Sequence, residues 1–273
     1  MRRCVITLVA IAFCSSAVRA DVTVTSTTTI EGSAPGMAGP GFTPRMVMRI
    51  KGLRARSDVE MNGHTQTSIT DLAAKEIVVL SHTDKTAQVF GPGQLAAMTK
   101  PFVMPKIEAS SKSTGESRAI NGAQCDEYAV KMGMNLAEFS ASPGMAPEAA
   151  AMLKDVRMVI SGSMWVARSG PGVADFVAFQ KAAADGSMAA AFGAVVPGMQ
   201  SGGLESVMKA LSSISGLPYV TELQLTVEGS GQMVEMLKQA GAMKIRNAVT
   251  AVSIDPIPDD QFVVPAGYKL VKQ

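Results

Sequence analysis

Short runs in which apolar and polar residues alternate recur along this chain, and they limit its fold more than any other feature. In RMVMRIK, residues 45–51, the side chains of Met46, Met48 and Ile50 fall on one side of an extended strand, and basic side chains fall on the other. Alternation with a period of two is typical of a strand in an antiparallel sheet that has one buried face. The pattern therefore predicts a half-buried antiparallel sheet.

Turn residues between these runs indicate that successive strands pair with one another. Asn121-Gly122 separates two strand-like runs, and Asn-Gly is a strong hairpin signal because both residues tolerate positive φ. The front half of the chain is therefore predicted to be a meander. Its predicted strands are 21–31, 45–51, 65–71, 76–82 and 86–90, followed by the two strands of the Asn-Gly hairpin.

The middle of the chain changes to helical patterns and is rich in alanine and methionine. Pro147 and Pro171 stand where a helix can begin without losing a hydrogen bond. LESVMKALSS, residues 204–213, has apolar residues at the i, i+3, i+4 and i+7 spacing of one helix face. We therefore expect a helical insertion at about 137–213. Strand patterns are predicted within and after it at 156–167, 220–229 and 244–254, with a short helix at 231–241.

The first twenty residues have the parts of a secretory leader. Two arginines are followed by a short apolar run and a small-residue exit that ends at Ala20. The apolar run is too short to cross a bilayer, for which about 20 residues are needed. We expect cleavage after Ala20, a location in the periplasm or outside the cell, and a single mature domain over 21–273. The alternative is a lipid anchor on Cys14, but Phe13 stands where such signals usually have a small residue.

Loss of the leader changes the charge and the cysteine count. It removes three arginines and no carboxylates, so the formal net charge falls from +2 to −1. A near-neutral protein lacks the field of a general nucleic-acid binder, so nucleic acid is excluded as a partner. Cys125 is the one cysteine left, which excludes an internal disulfide. We expect it to be a small buried hydrophobe; the alternatives are a redox-sensitive thiol or an intermolecular bridge.

No residue pattern in the chain predicts catalysis or a cofactor. His64 and His82 are the only histidines, and neither has the neighbours expected of a metal site or a Ser-His-Asp triad. We expect surface or turn roles for both, no metal, no cofactor and no enzymatic activity. The 19 methionines can fill the core in place of scarce aromatics, line a lipid pocket, or bind copper(I), in that order of preference.

Charged residues form two groups that we interpret as solvated surface. The basic residues of 45–56 lie on the polar side of a strand pattern and are followed at once by Asp58 and Glu60. The alternative is a surface for phosphate headgroups or an acidic partner, but exposed charges contribute little on average. Asp255, Asp259 and Asp260 flank two prolines and are predicted to solvate a loop. The basic residues are Arg45, Arg49, Lys51, Arg54 and Arg56.

Four segments spread over the mature chain occur in an order typical of one family. They are MRIKGLRARSDVE, STGESRAINGAQCDEYAV, MWVARS and SIDPIPDDQFVVPAGYK. The chain resembles the exported bacterial domains known as domain of unknown function 4412, and that family is similar to the lipoprotein-carrier (LolA-like) fold. The resemblance implies an α+β fold, in which a curved antiparallel β-sheet forms a half-barrel wrapped around the Ala/Met-rich helical insertion. A strongly curved sheet has a concave face that must be filled, and the insertion supplies apolar side chains.

The closing segment DDQFVVPAGYKLVKQ takes a defined place in that fold. The resemblance implies that Phe262 and Val264 face the helices, that Pro265 and Gly267 form a bend ending the strand, and that Tyr268 packs back. The family implies no reaction.

The sequence therefore predicts an exported, non-enzymatic protein with an apolar groove that binds a lipid or another hydrophobic molecule. The alternatives are a structural or interaction module of the envelope, whose partners are envelope proteins or the membrane surface, and a copper binder. The residues predicted to line the groove are Met46, Met48, Ile50, Met164, Phe176, Val207, Met208, Leu211, Phe262 and Val264.

Overall fold

The computed structural model describes residues 21–32, 43–94, 107–137, 151, 153–184, 214–239 and 241–272. Strands dominate these residues, and none of the helices among them is long and apolar enough to cross a membrane. The strands are β1 Val22–Glu31, β2 Arg45–Lys51, β3 Arg54–Met61, β4 His64–Asp71, β5 Glu76–Ser81, β6 Thr86–Phe90, β7 Ile107–Ile120, β8 Ala123–Asn135, β9 Val156–Ala167, β10 Leu217–Gly229, β11 Met243–Ser253 and β12 Lys269–Lys272. The helices are α1 Val173–Ala184, α2 Gln232–Gln239 and a 3-10 turn Asp259–Phe262.

All twelve strands belong to one sheet, in the order β12-β6-β5-β4-β3-β2-β1-β11-β10-β9-β8-β7. Every pair is antiparallel except β12 with β6, which run parallel. The two ends of this order, β12 and β7, do not pair with each other, so the sheet is open. The predicted antiparallel meander is confirmed for β1 to β6, but the hairpin of β7 and β8 lies at the other end of the sheet and does not continue it. The sequence patterns missed the strands β3 and β12.

The hairpins of this sheet include the Asn-Gly turn predicted from the sequence. Ile120 pairs with Ala123, and the two residues between them have φ of 49° and 80°. A two-residue loop with positive φ at both positions matches the right-handed twist of the strands it joins. The predicted hairpin of β7 and β8 is confirmed.

A hydrogen bond across the sheet shows that it curls. The Asn121 side chain, in the β7–β8 turn, donates from Nδ2 to the Val249 carbonyl of β11 at 2.8 Å. Neighbouring strands lie about 4.8 Å apart, so β8 and β11, which have two strands between them, would be about 14 Å apart in a flat sheet. An asparagine side chain does not cover that distance, and the sheet must bend to close it.

Apolar side chains cover both faces of the first half of the sheet. Because side chains alternate along a strand, Ile77 and Val79 of β5 lie on one face and Val78 and Leu80 on the other. The first pair belongs to a large cluster around α1, which we call the helix-side core, and the second to a cluster under the C-terminal tail, the tail-side core. A third, smaller cluster contains Tyr128, Val130, Val166 and Ile214, with Met164 and Leu223 packed against it.

The helical predictions are confirmed in part. The helix predicted after Pro171 is α1, and the short helix predicted at 231–241 is α2. Of the helix predicted after Pro147, residues 151 and 153 are described and are helical. The helix predicted at 204–213 lies outside the described residues. The described fold is therefore a sheet-dominated α+β fold with an open, curled antiparallel sheet.

The C-terminal segment differs from its prediction. Phe262 ends a 3-10 turn instead of belonging to a strand, and the pairing segment is β12, which starts at Lys269. Asp259 and Asp260, which precede Phe262, favour a turn over a strand because aspartate is depleted in strands.

Candidate functional site

Three of the residues predicted to line an apolar groove meet in the helix-side core. Ile50 of β2 is fully buried there, Met48 packs beside it, and Phe176 of α1 is 9% exposed. Met46 shares the β2 face of Met48 and Ile50 by strand alternation and is half-buried. Ile50, Met48 and Phe176 form one apolar surface between the sheet and α1.

Helix α1 is held to the sheet by a close backbone approach just before it begins. Gly172 has φ of +71°, and a Cβ atom at this position would lie 2.3 Å from Val22 Cγ2 on β1. The Phe176 N–H closes the first turn by donating to the Gly172 carbonyl at 3.0 Å. Glycine is required here for both its backbone conformation and its lack of a side chain.

The remaining predicted groove residues do not join this surface. Phe262 and Val264 lie in the tail-side core, on the other face of β5, so the expectation that they face the helices is wrong. The physical reason is that the tail crosses the sheet on the face opposite α1. Met164 lies in the third cluster, because the neighbouring Trp165 takes the face of the helix-side core. Val207, Met208 and Leu211 lie outside the described residues.

Trp165 is a member of the site that sequence patterns did not single out. It is 9% exposed in the helix-side core, and the Arg118 guanidinium lies 3.8 Å from its ring centroid. It is also the only tryptophan of the chain. Cys125 is fully buried in the same core, as predicted, and burial raises the pKa of its thiol.

The basic face of β2 and β3 binds the C-terminal tail, which corrects the prediction of a merely solvated surface. Lys51 donates to the Ile257 carbonyl at 2.7 Å, and Arg56 donates to the Gln261 carbonyl at 3.2 Å. Asp259 pairs with Arg54 at 2.6 Å and with Lys51 at 3.2 Å. Hydrogen bonds from these two cations lower the pKa of Asp259.

Asp58 lies beside this basic face and is the best-bonded carboxylate of the described chain. Arg49 and Arg56 both pair with it, and Thr67 Oγ1 donates to its Oδ1 at 2.6 Å. Burial raises the pKa of Asp58, but the hydrogen bonds from Arg56, Thr67 and Arg49 outweigh burial and leave the pKa below its ordinary value. Asp58 is therefore ionised at neutral pH.

His82 continues this network from Asp58 to the tail. Its Nε2 lies 2.7 Å from Thr67 Oγ1, and its Nδ1 lies 2.6 Å from the Tyr268 hydroxyl. The predicted turn role of His82 is therefore incomplete, because it also anchors Tyr268. The contact joins residues too distant in sequence for any local pattern to reveal it.

The chemistry available to this network is limited. It borders a polar cavity of about 500 Å³ that both His64 and His82 line. Thr67 is fully buried and its proton is directed at Asp58, so it does not have the exposure of a nucleophile. Within the described ranges, no three His, Cys, Asp or Glu side chains are placed to hold a metal ion. The network is suited to fixing the tail.

Comparison with known proteins gives distant structural likenesses. No protein-family model matches the chain, and no curated protein matches it. An uncharacterized conserved protein from Thermus thermophilus is 6% identical, with a TM-score of 0.39 over 94% of this chain and 92% of that one. A structure of PNGF-II is 9% identical, with a TM-score of 0.34 over 93% of this chain and 31% of that one. Both TM-scores are below 0.5, so the fold rests on the strand pairing of this chain.

Proposed function

We propose that this protein is an exported, non-enzymatic binding protein with a LolA-like half-barrel, which holds a hydrophobic molecule such as an acyl chain against its helix-side core. The observation that carries the proposal is the extent of that core. Its buried residues come from nine of the described strands, β1–β3, β5, β6 and β8–β11. The partners are lipids or other hydrophobic molecules.

Partial exposure at the margin of the helix-side core supports this proposal. The buried residues of the core are already covered, each less than 10% exposed, but apolar side chains beside them are not. Met48, Val177 and Val252 are only partly buried where they pack against the core. A hydrocarbon chain fits a surface of this kind because it is apolar and adapts to its shape, and methionine side chains adapt to it in turn.

Trp165 makes the proposal testable with a neutral apolar probe, N-phenyl-1-naphthylamine. Because the only tryptophan lies in the helix-side core, bound probe should quench its emission and take up its energy, and the effect should saturate. A Trp165→Phe variant should lose the energy transfer but keep the probe emission excited directly. Probe emission that never saturates with wild-type protein contradicts the proposal.

Export is part of the proposed function. The leader-like residues before Asp21 support it, and N-terminal sequencing of protein recovered from the periplasm tests it. A mature chain that begins at Asp21 is expected. A chain that retains the first twenty residues would contradict cleavage after Ala20.

A second candidate function is an envelope interaction module whose interior is filled by its own helices. The burial of α1 favours it, since Val173, Phe176, Phe179 and Ala183 are each less than 10% exposed. The same probe titration separates the two candidates. A filled interior predicts no saturable uptake, together with unchanged Trp165 emission when lipid is added.

A further inference from the structure

A polar depression lies across four strands beside the helix-side core. It encloses about 650 Å³, and we call it the polar trough. Strand register places its polar residues in two cross-strand rows. The first row is Thr29, Arg246, Glu222 and Ser163, and the second is Glu31, Lys244, Gln224 and Ser161.

On β9 and β10, the polar trough continues the face that carries the helix-side core. On β1, Glu31 is an odd number of residues from the buried Val22 and Val24 and therefore lies on the other face of that strand. Ser163 and Trp165 are two positions apart on β9 and therefore point to the same face. Trp165 pairs with Val220, which pairs with Ala248, and all three belong to or pack against the helix-side core. On one face of these strands, the apolar side chain and the next polar side chain are two residues apart, which is about 7 Å.

The trough contains both satisfied and unsatisfied charges. Arg246 pairs with Glu222 at 2.9 Å. Lys244 and Glu31 lie opposite each other on β11 and β1 and are exposed, and within the described part of the chain neither has a hydrogen bond or an ion pair. An unpaired cation beside an unpaired carboxylate is complementary to a ligand that carries both charges.

The backbone of the trough is closely packed at Gly162. A Cβ atom there would lie 1.9 Å from the Glu222 carbonyl oxygen, so β9 and β10 approach each other only because this position has no side chain. The register of Ser161, Ser163, Glu222 and Gln224 is set by the backbone pairing of β9 with β10. The trough is therefore a built surface of the sheet.

We propose that the polar trough binds the headgroup of a zwitterionic phospholipid, with the phosphate at Lys244 and the ammonium group at Glu31. This rests on the proposed function, since the hydrocarbon of the same molecule then lies along Trp165 and Val220. The trough supplies hydrogen-bonding groups from Ser163 and Gln224 for the remaining headgroup oxygens. A molecule that is polar at one end and apolar at the other fits a site in which the polar trough adjoins the apolar helix-side core.

Dihexanoyl phosphatidylethanolamine, used below its micelle concentration, tests the headgroup site by its displacement of N-phenyl-1-naphthylamine. Wild-type protein is expected to bind it more tightly than dihexanoyl phosphatidylglycerol, which lacks the ammonium group. Lys244→Gln should weaken both lipids about tenfold because it removes a charge-assisted contact to phosphate. Glu31→Gln should abolish the preference between the two lipids.

The controls separate this inference from the proposed function. Lys112→Gln, an exposed lysine on β7, should bind both lipids as the wild type does. The affinity for the neutral probe should be unchanged in every variant. If the probe binds but both trough variants keep wild-type lipid affinities, or phosphatidylglycerol binds as tightly as phosphatidylethanolamine, the headgroup site is wrong and the apolar site stands. If the probe does not bind the wild type, the proposed function itself fails.

Discussion

The His82 imidazole and the Tyr268 hydroxyl, 186 residues apart in sequence, lie 2.6 Å apart and join the β5–β6 turn to the C-terminal tail. Because Asp58 is ionised, it can only accept hydrogen bonds, and this determines which groups donate and which accept in the network that leads to His82 and Tyr268. Thr67 donates its proton to Asp58, so its oxygen accepts from His82 Nε2–H. In the neutral imidazole, Nδ1 then accepts from the Tyr268 hydroxyl.

Tyr268→Phe removes the last hydrogen bond of this network and leaves the ring in place. We expect a loss of about 1 kcal/mol in the free energy of unfolding, since one hydrogen bond is lost and Nδ1 stays accessible to water. The tail should also become more sensitive to limited proteolysis. Lys269→Ala, an exposed neighbour, is the control and should change neither property. Equal stability and cleavage rates for wild type and Tyr268→Phe would contradict the anchoring role.

The lowered pKa of Asp58 in the folded protein predicts a loss of stability in acid. Its pKa is lower in the folded protein than in the unfolded chain, so its contribution is full above the unfolded pKa of about 4 and is lost as the pH falls through the folded pKa. Asp58→Asn should therefore reduce the free energy of unfolding by about 2 kcal/mol at pH 7, and the difference from wild type should shrink below pH 4.

Urea unfolding at several pH values measures this effect. Glu60→Gln, an exposed carboxylate on the same strand, is the matched control and should follow the wild type. A difference between Asp58→Asn and wild type that stays constant from pH 7 to about pH 2 would contradict the account.

Gly172→Ala tests the seating of α1 on β1. The substitution places a methyl group against Val22 and strains a backbone with φ of +71°, so we expect a destabilisation of about 2 kcal/mol. Gly52→Ala is the matched control, because its φ is +61° but no atom lies within 4 Å of the new Cβ. The difference in unfolding free energy between the two variants isolates the contact with Val22. Equal losses would show that the close approach contributes nothing.

The burial of Cys125 predicts that its thiol reacts slowly in the folded protein. The thiol is fully buried, and burial raises its pKa, so both access and thiolate fraction are reduced. Reaction with Ellman's reagent at pH 8 should be slow in buffer and should accelerate with urea in step with unfolding. Rapid stoichiometric reaction of the native protein would contradict the burial and favour a redox-sensitive thiol.

Strands whose partners are close in sequence could be predicted from their patterns, and the surfaces between distant segments could not. Asn121-Gly122 fixes the β7–β8 hairpin through its own backbone preferences. The strand β3 was missed because the residues that alternate with its charged ones, Ala55, Ser57, Val59 and Met61, form only a weakly apolar row. The placement of Phe262 failed for a different reason, since only tertiary contacts decide which face of the sheet the tail crosses.

The same distinction applies to the candidate site, where neighbours set by local periodicity could be predicted and neighbours set by the pairing of distant strands could not. Met48, Ile50 and Phe176 could be predicted as neighbours because strand and helix periodicity places each on an apolar face. Nothing local distinguishes Lys244 and Glu31 from other surface charges. They become a pair only through the register of β1 with β11.

Native mass spectrometry of the protein, purified gently from cells and then incubated with phospholipid, tests the central claim most directly. Binding at the helix-side core predicts a species heavier than the mature polypeptide by one lipid molecule, lost when the protein is unfolded. Only the bare polypeptide mass, both before and after incubation, would contradict a hydrophobic ligand and leave an interior filled by the chain itself.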